Sequence, residues 1–193
     1  VEGRISRKAS YWYGEGCLIF PGMGDIHIHD REDVSQKNCY KEDFSSTTKA
    51  ALHGGIVHVG DMPNNPIPPI DDRSYFEKVL LSSEKDIPFL MYAGVGPHTS
   101  PLSYKVPYKA FMGPSIGDLF FESNDVLDQT LARYKGQFVS FHCEDPDILI
   151  ANKDQHDHFS RRPVKAEILA TQLALKLIEK YSLRGKLCHY SSG

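Results

Sequence analysis

Gly24-Asp25-Ile26-His27-Ile28-His29-Asp30-Arg31-Glu32 is the stretch that decides how this 193-residue chain is read. It follows Pro21-Gly22, a turn signal, and its apolar run reads as a strand. Strand side chains alternate with period two, so His27 and His29 face the same way and can bind one metal ion together. Arg31 shares that face if the strand runs so far, and it sets a cation beside the metal where an anionic substrate group can sit.

Outward from this run, strand-like and helix-like segments alternate. Tyr11, Trp12 and Tyr13 lead through the Gly14–Gly16 turn to Cys17–Phe20, which reads as the edge of a small β element. A helix is predicted over 42–53, with Phe44, Thr48, Ala51 and Leu52 as its apolar stripe and Gly54-Gly55 as its stop. Ile56–Met62 is the second strand. Asp71 or Asp72 caps the next helix, whose buried face is read as Tyr75, Phe76, Val79 and Leu80. Residues 87–95 form the third strand and Tyr108–Met112 the fourth, with a proline-broken interval between them. Val126, Leu127, Leu131 and Tyr134 mark a helix, and Phe138–His142 is the fifth strand. A longer helix spans 163–181 on a stripe of Leu169, Leu173 and Leu177, and Lys186–Tyr190 is the sixth strand.

Such alternation argues for a parallel sheet. The order suits an α/β (β/α)8 TIM barrel of which the first six βα units are present, since a full barrel needs about 250 residues. A doubly wound open sheet is the alternative, but it does not bring its first, fourth, fifth and sixth strands to one point. The polar residues sit at the carboxyl ends of the predicted strands: His27 and His29, Asn64, Lys109, His142 and His189. Barrel enzymes keep their chemistry at that face. One strand-end histidine is more often structural than a ligand, whereas four in register point to metal. His58 reads as a packed or hydrogen-bonded histidine of the second strand, and His156 and His158 as solvated loop residues. Lys109 is costly to bury as a cation between Tyr108 and Phe111. It is read either as a snorkelling or ion-paired lysine, or as one carboxylated by carbon dioxide into an oxygen ligand that bridges two metals.

Composition sets the outer bounds. A hydrophobic share of 40% and a charged share of 24% are ordinary for a soluble globular protein. The net charge of -3 makes no case for nucleic acid. No apolar run approaches the roughly 20 residues of a membrane span, and no secretory signal pattern opens the chain. The four cysteines form no CxxC pair and read as buried thiols of a reducing cytoplasm.

Several of these residues carry a family resemblance. Pro21-Gly22-Met23-Gly24-Asp25-Ile26-His27-Ile28-His29-Asp30-Arg31-Glu32 resembles the opening metal motif of the cyclic amidohydrolases, and of the dihydroorotases among them. Lys49–Gly55, Asp61-Met62-Pro63-Asn64-Asn65, Lys109–Ser115, His142-Cys143-Glu144-Asp145 and His189-Tyr190-Ser191-Ser192 are similar to later landmarks of that family, in the same order. The resemblance implies a binuclear zinc site (two Zn2+), with His27 and His29 on one ion, His142 and His189 on the other, and carboxylated Lys109 bridging them. Arg31 and Asn64 would hold the substrate carboxylate. The implied reaction interconverts N-carbamoyl-L-aspartate and dihydroorotate in pyrimidine biosynthesis. A homodimer or a complex with aspartate transcarbamoylase are the partners it suggests.

Three departures go with it. The family's further aspartate ligand, which shuttles the proton after the eighth strand, has no counterpart in these residues. Its β-sandwich is represented at most by a remnant in residues 1–20, with residues 21–193 an incomplete barrel. The chain therefore reads as a fragment. The Asp30-Arg31-Glu32-Asp33-Val34 segment also lacks the proline and glycine that many relatives carry there. The competing readings are a hydantoinase or allantoinase type of amidohydrolase and a non-catalytic scaffold of the same fold.

Overall fold

The structure is a computed structural model, and it describes residues 13–114 and 119–192. Among the described residues seven short strands and six helices follow one another. They are β1 (Met23–Ile28), α1 (Phe44–His53), β2 (Ile56–Asp61), α2 (Asp72–Ser82), β3 (Phe89–Met91), β4 (Ala93–Val95) and β5 (Tyr108–Phe111). Then come α3 (Asn124–Ala132), β6 (Phe138–His142), α4 (Pro146–Ala151), α5 (His158–Arg161), α6 (Val164–Lys180) and β7 (Arg184–Leu187).

All strand pairs are parallel, in the orders β1-β2-β3 and β4-β5-β6-β7. The third predicted strand is divided. Tyr92 N still donates to Asp61 O of β2 at 2.9 Å, while Ala93 N already donates to Pro107 O at 2.9 Å. One extended run thus serves both sheets and marks a change of direction between them. The strands lie in chain order with no reversal, as in a barrel wall and unlike a doubly wound sheet. The wall also curls: the ring of His27, in β1, lies 5.4 Å from that of His189, beyond β7.

Local chemistry explains the helix starts. Asp43 caps α1 by accepting from Ser46 N at 2.7 Å, and Asp71, the first of the two candidate caps, serves α2 by accepting from Ser74 N at 2.8 Å. The main core lies under β4–β7, where Tyr108, Leu127, Leu131, Tyr134, Val139, Phe141 and Leu177 pack together.

Several expected faces are corrected. In α1 the buried residues are Phe44, Thr47 and Thr48, while Leu52 is exposed. In α2 the sheet-facing positions are Lys78 and Ser82, and Phe76 and Leu80 are each 53% exposed. The buried α6 face is built of Ala166, Ala170, Thr171 and Ala174 with Leu177; of the predicted leucine stripe Leu177 is buried, Leu173 packs against the core and Leu169 is exposed. Small residues let that helix lie close on the sheet, and Ile178 fills the space a side chain at Gly185 would need. The last strand ends at Leu187, before His189 rather than at it.

The helices α4 and α5 were not expected. No strand forms over Tyr13–Phe20, where Leu18, Ile19 and Phe20 are exposed, and Tyr11 and Trp12 lie outside the described residues. His58 sits in β2 with its ring over Gly24, yet it is exposed. Cys143 and Cys188 are buried thiols, but Cys17 is exposed and Cys39 half-buried. No described helix is long and apolar enough to cross a membrane.

Candidate metal centre

The carboxyl ends of the strands open into a cleft of about 220 Å³. Its lining includes every residue singled out from the sequence: His27, His29, Arg31, Asn64, Lys109, His142 and His189. Phe111, Pro114, Glu144 and Arg162 complete it.

β1 delivers the first pair of histidines. The pairing of β1 with β2 slips between Asp25 and Ile28, a bulge that falls on Ile26-His27. Bulges re-aim side chains beside functional sites. Gly60 permits this one, because a Cβ there would stand 2.9 Å from the Ile26 carbonyl oxygen. His27 Nε2 and His29 Nε2 end 3.3 Å apart. The His29 Nδ1–H donates to Asn64 Oδ1 at 2.7 Å, which leaves the Nε2 lone pair facing the cleft.

The second pair comes from β6 and the turn after β7. His142 Nδ1 and His189 Nε2 are 3.1 Å apart. The other His142 nitrogen, Nε2, meets Glu144 Oε2 at 2.7 Å, and Arg162 Nη1 donates to the same carboxylate. His189 is held at φ 40°, a left-handed backbone unusual for a residue with a Cβ. Glu167 anchors that turn by accepting from Ser191 N at 3.0 Å and Ser192 N at 2.9 Å. Neighbouring ring centroids are 5.1 Å (His29 to His27), 5.4 Å (His27 to His189) and 4.8 Å (His189 to His142).

Lys109 lies below them in β5, fully buried, and its Nζ has no hydrogen-bond partner with proper geometry. Burial lowers its pKa, an effect the neighbouring Cys188 thiol opposes. Burial, with Lys109 and His29 adding to it, depresses the His27 imidazole to about 3. Burial likewise takes His29 to about 4 against the opposing Asn64 bond. His189 is lowered too, first by burial and then by His142 and Lys109. For Glu144 burial acts upward, but the bonds from His142 and Arg162 outweigh it and hold the carboxyl at about 2. Burial thus favours the neutral form of His27, His29 and His189, the form suited to metal coordination.

The donor set fits a metal pair. Two nitrogens on a tetrahedral zinc, each roughly 2.0–2.1 Å from the ion, stand roughly 3.3 Å apart. Both histidine pairs match that spacing. No three His, Cys, Asp or Glu side chains among the described residues form a single cation cage. The donors are split two and two, with the partnerless Lys109 amine, not a carboxylate, as the fifth group.

Sequence reasoning missed the holding roles of Glu144 and Arg162. Glu144 stands two residues after a strand-end histidine, which is the one signal for it. Asn64, read as a substrate contact, here orients His29, and Arg31 Nη1 donates to the Asn64 carbonyl at 3.3 Å.

A chain-ordered parallel wall with these histidines gathered at its carboxyl end has the arrangement of part of a TIM barrel. Solved structures share the fold. L-hydantoinase (dihydropyrimidinase) from Arthrobacter aurescens matches 86% of this chain and 41% of its own with a TM-score of 0.72 at 21% identity. A D-hydantoinase matches 87% of this chain and 41% of its own with a TM-score of 0.66, also at 21% identity. Within that class the chain is similar in sequence to the dihydroorotases. The dihydroorotase of Thermococcus kodakarensis is 40% identical over 181 residues, 91% of this chain and 40% of that protein. That of Methanosarcina acetivorans is 31% identical over 205 residues, 98% of this chain and 43% of that protein. The chain thus spans about two fifths of the length of these relatives. No protein-family model matches it.

Proposed function

We propose that the protein is a zinc-dependent dihydroorotase that interconverts N-carbamoyl-L-aspartate and dihydroorotate in the cytoplasm. The observation that carries this reading is the convergence of two histidine pairs on the buried, partnerless Lys109, with Arg31 lining the same cleft. His27 and His29 would hold one zinc ion, and His142 and His189 the other. Lys109 would contribute through its carbamate: the neutral amine attacks carbon dioxide, an N–C bond forms, and a proton is lost to solvent. The lowered pKa of that amine favours the step. Zinc supplies Lewis acidity, which polarises an amide carbonyl and acidifies water. Arg31 offers a planar fork to the substrate carboxylate, and the Asn64 amide group completes the clamp. Glu144 keeps the His142 Nδ1 lone pair turned inward by accepting from Nε2.

The test is turnover by the complete protein loaded with zinc. Dihydroorotate should be hydrolysed and carbamoyl aspartate cyclised, with about two zinc ions per chain. Turnover of hydantoin alone would reassign the protein to the hydantoinase type. Less than about one zinc per chain after gentle purification would favour the scaffold reading. His142→Ala should abolish turnover, and unchanged turnover would reject the binuclear site.

A further inference from the structure

We propose that Lys78, paired with Asp61, is the positioning residue of the carboxylate clamp: one buried ammonium holds both loops that carry Arg31 and Asn64. The proposal rests on the reading of Arg31 and Asn64 given above. Lys78 projects from α2 beneath the cleft and lines no part of it. Its Nζ lies 2.6 Å from Asp61 Oδ2, an ion pair outside the angles of a directed hydrogen bond, and 2.5 Å from Asn65 Oδ1.

From these two partners the contacts spread to either side of the clamp residues. Asp61 Oδ1 accepts from Asp30 N at 2.8 Å, just before Arg31. The Asp30 carboxylate accepts from Glu32 N at 2.9 Å, just after it, and from Thr47 Oγ1 at 2.8 Å. Asn65 Nδ2 returns to the Asp30 carbonyl at 3.2 Å, and Asn65 adjoins Asn64. Asp30, Asp61, Asn65 and Lys78 are each 3% exposed or less.

Stability alone does not call for such an arrangement, since an apolar pair of similar volume often serves as well as a buried ion pair. What the network does achieve is registry. Arg31 is flanked by Asp30 and Glu32, whose backbone amides are both fixed, and Asn64 precedes a side chain bonded to the same ammonium. Two loops 33 residues apart in sequence are thereby set at one spacing, across which Arg31 reaches the Asn64 carbonyl.

The experiment uses the complete zinc-loaded protein, with Lys78→Met and the double variant Lys78→Met/Asp61→Asn. The double variant removes both charges, so no lone charge stays buried. The KM for dihydroorotate should rise about tenfold or more, with kcat within about threefold and zinc content unchanged. Amide exchange should quicken about tenfold in segments 29–35 and 62–67 while segment 138–142 keeps its protection. A folded double variant with wild-type KM would overturn the proposal, as would loss of zinc and kcat in step with KM. If the wild-type protein leaves dihydroorotate unchanged, the functional reading fails by itself. The exchange measurement then still decides the holding role, and unquickened loops would reject it.

Discussion

Glu144 shows how a residue outside the metal-binding set can matter as much as one within it. It accepts from His142 Nε2 and is itself held by Arg162. Glu144→Gln keeps an acceptor but loses the charge, and zinc affinity should fall by about 10- to 100-fold by metal titration, the usual cost of losing such a partner. The imidazoles carry a second expectation. With metal removed, His27 and His29 titrate near 3 and 4 in the folded chain, well below the ordinary value of about 6.5. Between those limits the unfolded chain binds more protons, so stability climbs with pH and is lost as pH falls below about 6.5. Asp30, pushed up to about 7 by burial, acts in the opposite sense, as does the raised Asp61, so urea midpoints of the chelated protein at pH 5 and pH 7 isolate the histidine contribution by comparison with a histidine variant. His27→Asn should lower the midpoint difference by the part His27 contributes, His29 and His189 keeping the rest, and an unaltered difference would assign the dependence elsewhere. Arg31, His27 and His29 were legible because they alternate in one short stretch, although β1 ends at Ile28 and leaves His29 and Arg31 on the segment that follows it. Arg162 was not, because the sequence does not reveal which distant side chain meets Glu144.

Elements place these residues through backbone detail that periodicity does not reveal. The β1 bulge at Ile26-His27 depends on Gly60 in the next strand, whose missing Cβ leaves room for the Ile26 backbone. Gly60→Ala should push β1 away, at a cost of about 1–3 kcal/mol in urea unfolding, and should weaken zinc binding with it. Unchanged stability and affinity would show that the strand accommodates the methyl group. Element order and most boundaries were readable, as with Phe138–His142, because long apolar alternation is set locally. Helix faces were less so. In α2 the sheet takes Lys78 and leaves Phe76 in water, since Asp61 and Asn65 supply a buried polar partner that overrides hydropathy. In α6 close approach to the sheet selects alanine over leucine.

At the scale of the whole molecule, packing is uneven. The main core lies under β4–β7, while Met23 and Ile26 of β1 and Val57 of β2 stay exposed. Hydrogen exchange of this 193-residue chain should therefore show β5 and β6 as the best protected strands and β1 as the least. Equal protection across the wall would contradict that distribution. The sequence by itself determined the α/β class, the chain order of the strands and seven of the residues around the cleft, because spacing along a strand and turn chemistry are local properties. Only the tertiary structure decided that His27 and His189, separated by 162 positions, lie ring to ring, and that Lys109 is left without a partner among them. The curl of the parallel wall brings about both, and that curl is a property of strands packed together.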